Sequence, residues 1–531
     1  MFRLITKPSR ITRVLGIAAA AIATLCSVNV LAAIPGITGM DGSDATFYLT
    51  AAENYISQPD GASIYSWGYG CDQTHSPTFF PATTYYTAGR TISRPVTCTD
   101  MQVPGPTLIV TEGATVTITL TNKLPVAAGN TSLVVPGFTV TPVAGTGVAG
   151  LITQEAEHGG SVTYTFLANK PGTYSYYSGT QPEIQNAMGM YGAIIVKPNP
   201  TTAATLCPGS DFHPTPVSTD PTVTVPKEPN LSISTAAYDN ASTCYDIEYL
   251  FQLGEIDTNL NNAVRDAVAA CPTGPCPTLS VPTEPYWPQY YVVNGRSLPD
   301  DADIPYAPGM PHQPYNGNPH MHPGQKMLIR LIGVGRYQHP LHIHANHARV
   351  LAYDGNLITS QSADPADPEH AKLAGPLFYT LTSVSGQTMD SIFTWTGKDL
   401  NWDVYGRENP HTCNGIPLSS NPNDPGQQSA GYDPITHEYC PDHGKPIPVT
   451  PPDPAIVANG LWYGGTPYLG LQAVNPTPLP PGANIQNPDA AYGYPWHSHD
   501  EREITTNNVF PGGMMMILLI DPPTAYLDET L

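Results

Sequence analysis

Short runs in which apolar and polar residues alternate, broken at close intervals by proline and glycine, fill most of the chain. In TLIVTEGATVTITLTNKLP (107–125), Val116, Ile118 and Leu120 fall at every second position and Glu112-Gly113 separates two apolar runs, which predicts a pair of strands joined by a turn. GSVTYTFLANKPGTYSYYSG and MYGAIIVKP predict the closing strands of the same unit, ending near Pro198. A second series opens with YDIEYLFQLGEI (245–256) and runs through YYVVNGRSL, KMLIRLIGVG, ARVLAYDG, FYTLTSV and MDSIFTWTG to GGMMMILLID (512–521). One helix is predicted, around 257–270, with Leu260, Val264 and Val268 on a single face. Helical periodicity is otherwise almost absent, so the pattern predicts an all-β protein of sandwich-like domains.

Length and composition divide this series. The 531 residues suit two domains, each with its own core. Residues 1–33 set Arg3, Lys7, Arg10 and Arg13 before an apolar run and end in small residues, the layout of a cleavable secretory signal. Residues 34–198 form the first domain, 199–240 a connector rich in Pro and Thr, and 241–531 the second domain, interrupted at about 400–490 by an insertion rich in Pro, Gly, Asn and Asp. After signal removal an even set of cysteines remains, for which pairing of chain neighbours suggests Cys71 with Cys98, Cys207 with Cys244, Cys271 with Cys276 and Cys413 with Cys440. The expected location is therefore outside the cytoplasm, periplasmic, cell-surface or extracellular, with no span of a membrane once the signal is gone. Charged residues make up only 12% of the chain and the formal net charge is −22, which disfavours a nucleic-acid partner.

Histidine carries the candidate chemistry. His339, His342 and His344 occur as HPLHIH directly after a predicted strand, and His497 and His499 as WHSH just before the closing strand. Residues two apart in an extended segment face the same side, so each His-x-His pair presents two imidazoles toward one point. Two such pairs on facing strands suit a borderline-soft cation, copper first and zinc as the alternative. His312, His320 and His322, with Met321, are a candidate for a second, exposed metal-binding patch, while the run Met514-Met515-Met516 reads as core.

With these residues in view, the chain resembles the multicopper oxidases. HPLHIH is similar to the family motif that supplies one type 1 ligand and two trinuclear-cluster ligands, and WHSH to the closing His-Cys-His. VPGPTLIVTEGATVTITLTN, TSLVVPG, GTYSYYSGTQ and MGMYGAIIV are similar to the family's first domain. The resemblance implies two cupredoxin-like Greek-key β-sandwich domains, a type 1 position at His339, and cluster positions at His342, His344, His497 and His499.

The departures are as informative. Where active members carry histidines, the chain reads Val134-Val135-Pro136 and Tyr176-Tyr177-Ser178-Gly179; Ser498 stands at the type 1 cysteine and Glu503 at the downstream type 1 histidine. A blue centre needs a cysteine thiolate with two imidazoles, so none is expected. Two readings follow: a secreted copper-binding protein holding one ion at the residual His-x-His pairs, with at most limited oxidoreductase activity, or a catalytically dead scaffold with a structural or interaction role. The expected partners are a metal ion and an unidentified small-molecule or protein redox partner, with a homo-oligomer left open.

Overall fold

The structure is a computed structural model describing residues 34–521, apart from 42–43, 81–83, 88–89, 94–95, 208–234, 361–365, 367–371, 405–410, 419–430, 435–436, 446–461 and 466–491. The signal expected at 1–33, most of the connector and much of the insertion lie outside the described residues. Among the described residues no helix is long and apolar enough to cross a membrane.

The protein is all-β, with its larger sheets paired into two sandwiches. In the first, a five-stranded sheet runs in the order Gly172–Tyr177, Tyr191–Lys197, Leu108–Thr111, Gly36–Thr38, Thr78–Phe80. Facing it is a six-stranded sheet that includes Ser161–Leu167, Thr115–Asn122, Asp44–Ser57 and Ser63–Cys71. Val116, Ile118 and Leu120 are fully buried between the sheets while the alternating threonines face outward, so the sequence alternation is a true inside–outside pattern. The second sandwich joins a seven-stranded sheet around Ile247–Ile256, Lys326–Gly333 and Thr388–Thr394 to a five-stranded sheet in the order His320–Met321, Met515–Ile520, Tyr492–Ser498, His339–Ile343, Thr380–Ser383. Met514 and Met516 are core residues, as their apolar strand predicts.

Two features depart from the sequence pattern, and the helix expected around 257–270 forms but packs on the other domain's core. The two apolar runs of 107–125 are not partners: Leu108–Thr111 pairs parallel to Tyr191–Lys197 in one sheet, and Thr115–Asn122 pairs in the other. Leu108, Ile109 and Val110 are all buried, so that run is a strand covered on both faces rather than half of a hairpin, and Gly113, at φ +88°, turns the chain across the core. The longest hairpin, Asp44–Ser57 with Ser63–Cys71, escapes the pattern because small residues occupy its middle. Gly68 is required there, since a Cβ would lie 2.3 Å from the Gln102 carbonyl oxygen. Finally, the helix Thr258–Ala270, capped by the Asp257 side chain on Asn259 N, turns Leu260 and Val264 into the first sandwich's core, and Asn261 Nδ2 donates to Tyr65 O at 2.8 Å.

All four expected disulfides are formed. A buried polar network also crosses between the sandwiches. Lys197 and Arg330 each lie 2.8 Å from Glu248, and Arg330 Nη1 donates at 2.9 Å to Thr173 Oγ1, which in turn donates to Asp390 at 2.6 Å. Each buried charge thereby has a partner.

Candidate metal centre

The two histidine-bearing strands are antiparallel neighbours, with His342 opposite His497, Leu341 opposite Ser498 and Ile343 opposite Trp496. Leu341, Ile343 and Trp496 point into the core and fix the register, which leaves the histidines on the opposite face. Trp496 Nε1 donates to the His344 carbonyl at 3.1 Å, locking the strand ends together.

The four rings of His342, His344, His497 and His499 adjoin one another. Ring centres are 4.8 Å apart for His342 and His344, 4.7 Å for His342 and His499, 5.2 Å for His344 and His497, and 5.7 Å for His497 and His499. Their outward nitrogens are anchored: His344 Nδ1 lies 3.3 Å from Gly464 O, His497 Nδ1 lies 2.8 Å from Ser498 O, and His342 Nδ1 is hydrogen-bonded to Thr380 Oγ1 at 3.0 Å. A carbonyl oxygen only accepts, so Nδ1 of both His344 and His497 carries the proton. Their Nε2 atoms then face each other as lone pairs at 3.2 Å. Burial, then the neighbouring imidazoles, push His342 and His344 down to about 4, so an extra proton is a poor guest between them. A cation accepting both lone pairs resolves the contact, and this donor set suits copper or zinc.

Tyr463 and Gly464 come from the insertion and were not anticipated. Tyr463 donates to the Ile343 carbonyl at 2.9 Å and its ring lies 5.4 Å from that of His344, so the insertion returns to wall the histidines.

His339 stands apart, at the other end of its strand. Its Nε2 is hydrogen-bonded to Glu255 Oε2 at 2.9 Å and its Nδ1 makes an ion pair with Glu503 Oε2 at 3.0 Å. Burial alone would push this imidazole down; the two carboxylates outweigh it and push it up to about 9. Ser498 Oγ donates to Glu503 Oε2 at 2.5 Å, so His339, Ser498 and Glu503 meet at one point although they lie on different segments. Glu255, 84 residues before His339, has no local motif to reveal it. A cavity of about 250 Å³ adjoins this network between the sandwiches, with Tyr177, Tyr191, Glu255 and Arg336 among its walls.

The candidate second patch around His312, His320 and His322 is not assembled. His312 Nδ1 is hydrogen-bonded to Met101 O at 2.7 Å, His320 Nδ1 pairs with Asp521 at 2.7 Å, and His322 and Met321 are buried. Among the described residues, the four whose ligand atoms all lie within 4.8 Å of one another are others: Asp403, His411, Glu438 and His443, in the insertion. The available signal for them is the placing of His411 and His443 beside the disulfide cysteines Cys413 and Cys440.

Comparison with known proteins now bears on the chain. A family profile described as multicopper oxidase matches residues 82–201. Laccase abr2 of Aspergillus fumigatus is 37% identical over 111 residues, which are 20% of this chain and 18% of that protein. Multicopper oxidase VdtB of Byssochlamys spectabilis is 36% identical over 113 residues, 21% and 16% of the two chains. The matched segments thus span less than a fifth of these curated relatives. Among solved structures, the multicopper oxidase mgLAC aligns over 90% of this chain and 86% of its own at 16% identity, with a TM-score of 0.44. The blue copper oxidase of Nitrosomonas europaea aligns over 90% and 85% at 14% identity, with a TM-score of 0.43. Residues 82–201 are thus similar to a multicopper oxidase domain, and a laccase is among the proteins that this part of the chain resembles.

Proposed function

We propose that this protein is an exported member of the multicopper oxidase family that holds a single copper ion between its two His-x-His pairs, His342 with His344 and His497 with His499, and has no blue type 1 centre. The observation that carries this reading is the pair of lone-pair nitrogens of His344 and His497 facing each other at 3.2 Å with both Nδ1 protons committed to carbonyls. His342 and His499 are the neighbouring donors. Copper in this position supplies one-electron redox chemistry, while Thr380, Gly464 and Ser498 orient the imidazoles and Tyr463 limits access on one side.

Two further features support a residual rather than a complete oxidase centre. In the first sandwich the cross-strand pair equivalent by motif is Val134 with Tyr177, and neither Val134 nor Gly179 beside it offers a ligand side chain. At the type 1 position His339 is engaged on both nitrogens by Glu255 and Glu503, and Ser498 is spent on Glu503, so that neither imidazole nitrogen nor the hydroxyl is left for a metal. On this reading His339 is a structural imidazolium and not a ligand. The four disulfides favour export to an oxidising compartment, and the two apolar cores favour two domains, the first core taking Leu260, Val264, Leu279 and Tyr286 from beyond residue 241.

Metal content and paramagnetic resonance of the purified protein test the proposal. The expected result is copper bound through nitrogen, without thiolate, and lost in His497→Ala/His499→Ala. Copper unchanged in that variant, an intense blue colour, or zinc in its place would each overturn it.

A further inference from the structure

The insertion carries a second set of metal-type ligands, separate from the histidine strands. His411 Nε2 lies 3.2 Å from Asp403 Oδ2 and 3.4 Å from Glu438 Oε2, while His443 Nδ1 lies 2.8 Å from Glu438 Oε1 and 3.7 Å from Asp403 Oδ2. The two rings are 4.7 Å apart and nearly perpendicular, so their nitrogens approach the carboxylates from different directions. Three of the four are closed to water: Glu438 is 1% exposed, and Asp403 and His443 are 2% exposed, while His411 keeps 11% of its side chain at the surface.

We propose that Asp403, His411, Glu438 and His443 form a structural binding site for one zinc-class divalent cation that fastens the insertion. Two imidazoles and two carboxylates are a donor set for four-coordinate zinc, and a closed set without an open position is the structural rather than the catalytic form. Two of the ligands are held from behind. Asp403 Oδ2 accepts from Gly444 N at 2.8 Å, Asp403 N donates to Lys445 O at 2.9 Å, and His443 N donates to Cys440 O at 3.0 Å. The Cys413–Cys440 disulfide ties the segment bearing His411 to the segment bearing Glu438 and His443.

The setting supplies an independent reason for an ion. Two carboxylates buried side by side carry a solvation cost that opposite charge offsets, and a divalent cation offsets both where a single imidazolium offsets one. Among the described residues of this region, Trp402 and Val404 are buried in the second sandwich's core, and Leu400 and Trp462 pack against it. A segment this rich in Pro, Gly, Asn and Asp is the kind that disulfides and metals stabilise. Coordination by these four residues meets both needs and does not depend on the copper reading, which concerns different residues.

The test uses the full chain grown with zinc and then dialysed. His497→Ala/His499→Ala is expected to retain zinc at the wild-type level, whereas His411→Asn/His443→Asn loses it and keeps whatever copper the wild type binds. Zinc absent from the wild type, or equally retained by His411→Asn/His443→Asn, overturns the proposal. Should that variant not fold, cobalt(II) added to metal-free His497→Ala/His499→Ala protein decides: a visible ligand-field spectrum of tetrahedral type supports the site, and its absence overturns it. Loss of copper in His497→Ala/His499→Ala with zinc retained supports both readings separately, so either one fails without the other.

Discussion

The strand His339–Ile343 begins beside one kind of neighbour and ends beside another. At its start His339 sits between the carboxylates of Glu255 and Glu503; toward its end and just beyond it, His342 and His344 sit among other imidazoles. Burial disfavours the charged form in all three. The carboxylates reverse that at His339 and push it up to about 9, whereas the imidazoles add to it and hold His342 and His344 down to about 4. One end therefore keeps a proton that balances buried negative charge, and the other keeps lone pairs that suit a metal. The residue type is the same throughout, and the neighbours alone divide the roles.

The largest effect that tests this division comes from His339→Leu, which leaves two buried carboxylates without their cation. The expected loss of unfolding free energy, measured in urea, is about 3–5 kcal/mol. His499→Ala, at the exposed other end, is expected to stay within about 0.5 kcal/mol of the parent in metal-free protein. Equal effects from the two substitutions would show that the two ends do not differ in kind.

The pH dependence of stability comes next. A histidine raised to about 9 from an ordinary value near 6.5 stabilises the fold fully below 6.5 and loses that contribution as pH climbs through 9, about 3 kcal/mol in all. His342 and His344 act in the opposite sense. Their folded values are depressed, so their neutral forms favour the fold above 6.5, and that advantage is lost as pH falls from 6.5 toward 4. Metal-free protein should thus lose stability on both sides of a maximum near neutrality as far as these groups are concerned. His339→Leu should flatten the alkaline limb and His342→Gln/His344→Gln the acid limb; a substitution that flattens the wrong limb inverts the assignment.

How much of this was legible depended on distance along the chain. The His-x-His pairs could be read because a strand's period of two dictates which residues share a face, and the disulfides because each joins neighbouring cysteines. Glu255 could not be read as the partner of His339, since the contact depends on how Ile247–Ile256 lies against a strand far along the chain. The turn at Gly113 was misread because a strand buried on both faces and one arm of a hairpin share the same apolar signature. Asp403, His411, Glu438 and His443 were hidden for a related reason: they lie in a segment without periodicity, and only the Cys413–Cys440 bridge brings them together. Ser498 and Glu503 were placed by motif resemblance, and their meeting with His339 shows what a serine and a glutamate do at those positions, where they pair with each other and with the imidazole.

The smallest change sharpens the comparison most finely, because it leaves every imidazole in place. Thr380 Oγ1 holds His342 Nδ1 at 3.0 Å, and Ser383 Oγ, on the same strand, accepts from the backbone N–H of His339 at 3.3 Å. Thr380→Val keeps the volume and removes the hydroxyl, so the His342 ring loses the contact that sets its orientation. Groups that orient a ligand in this way are worth about 10–100-fold in metal affinity, and a titration with copper(II) should weaken by that factor. Ser383→Ala perturbs the carboxylate-flanked end and should leave copper affinity unchanged. If Thr380→Val binds copper as tightly as the parent, His342 is not a ligand, and the metal-bearing end of the strand contracts to His344 and its partner His497.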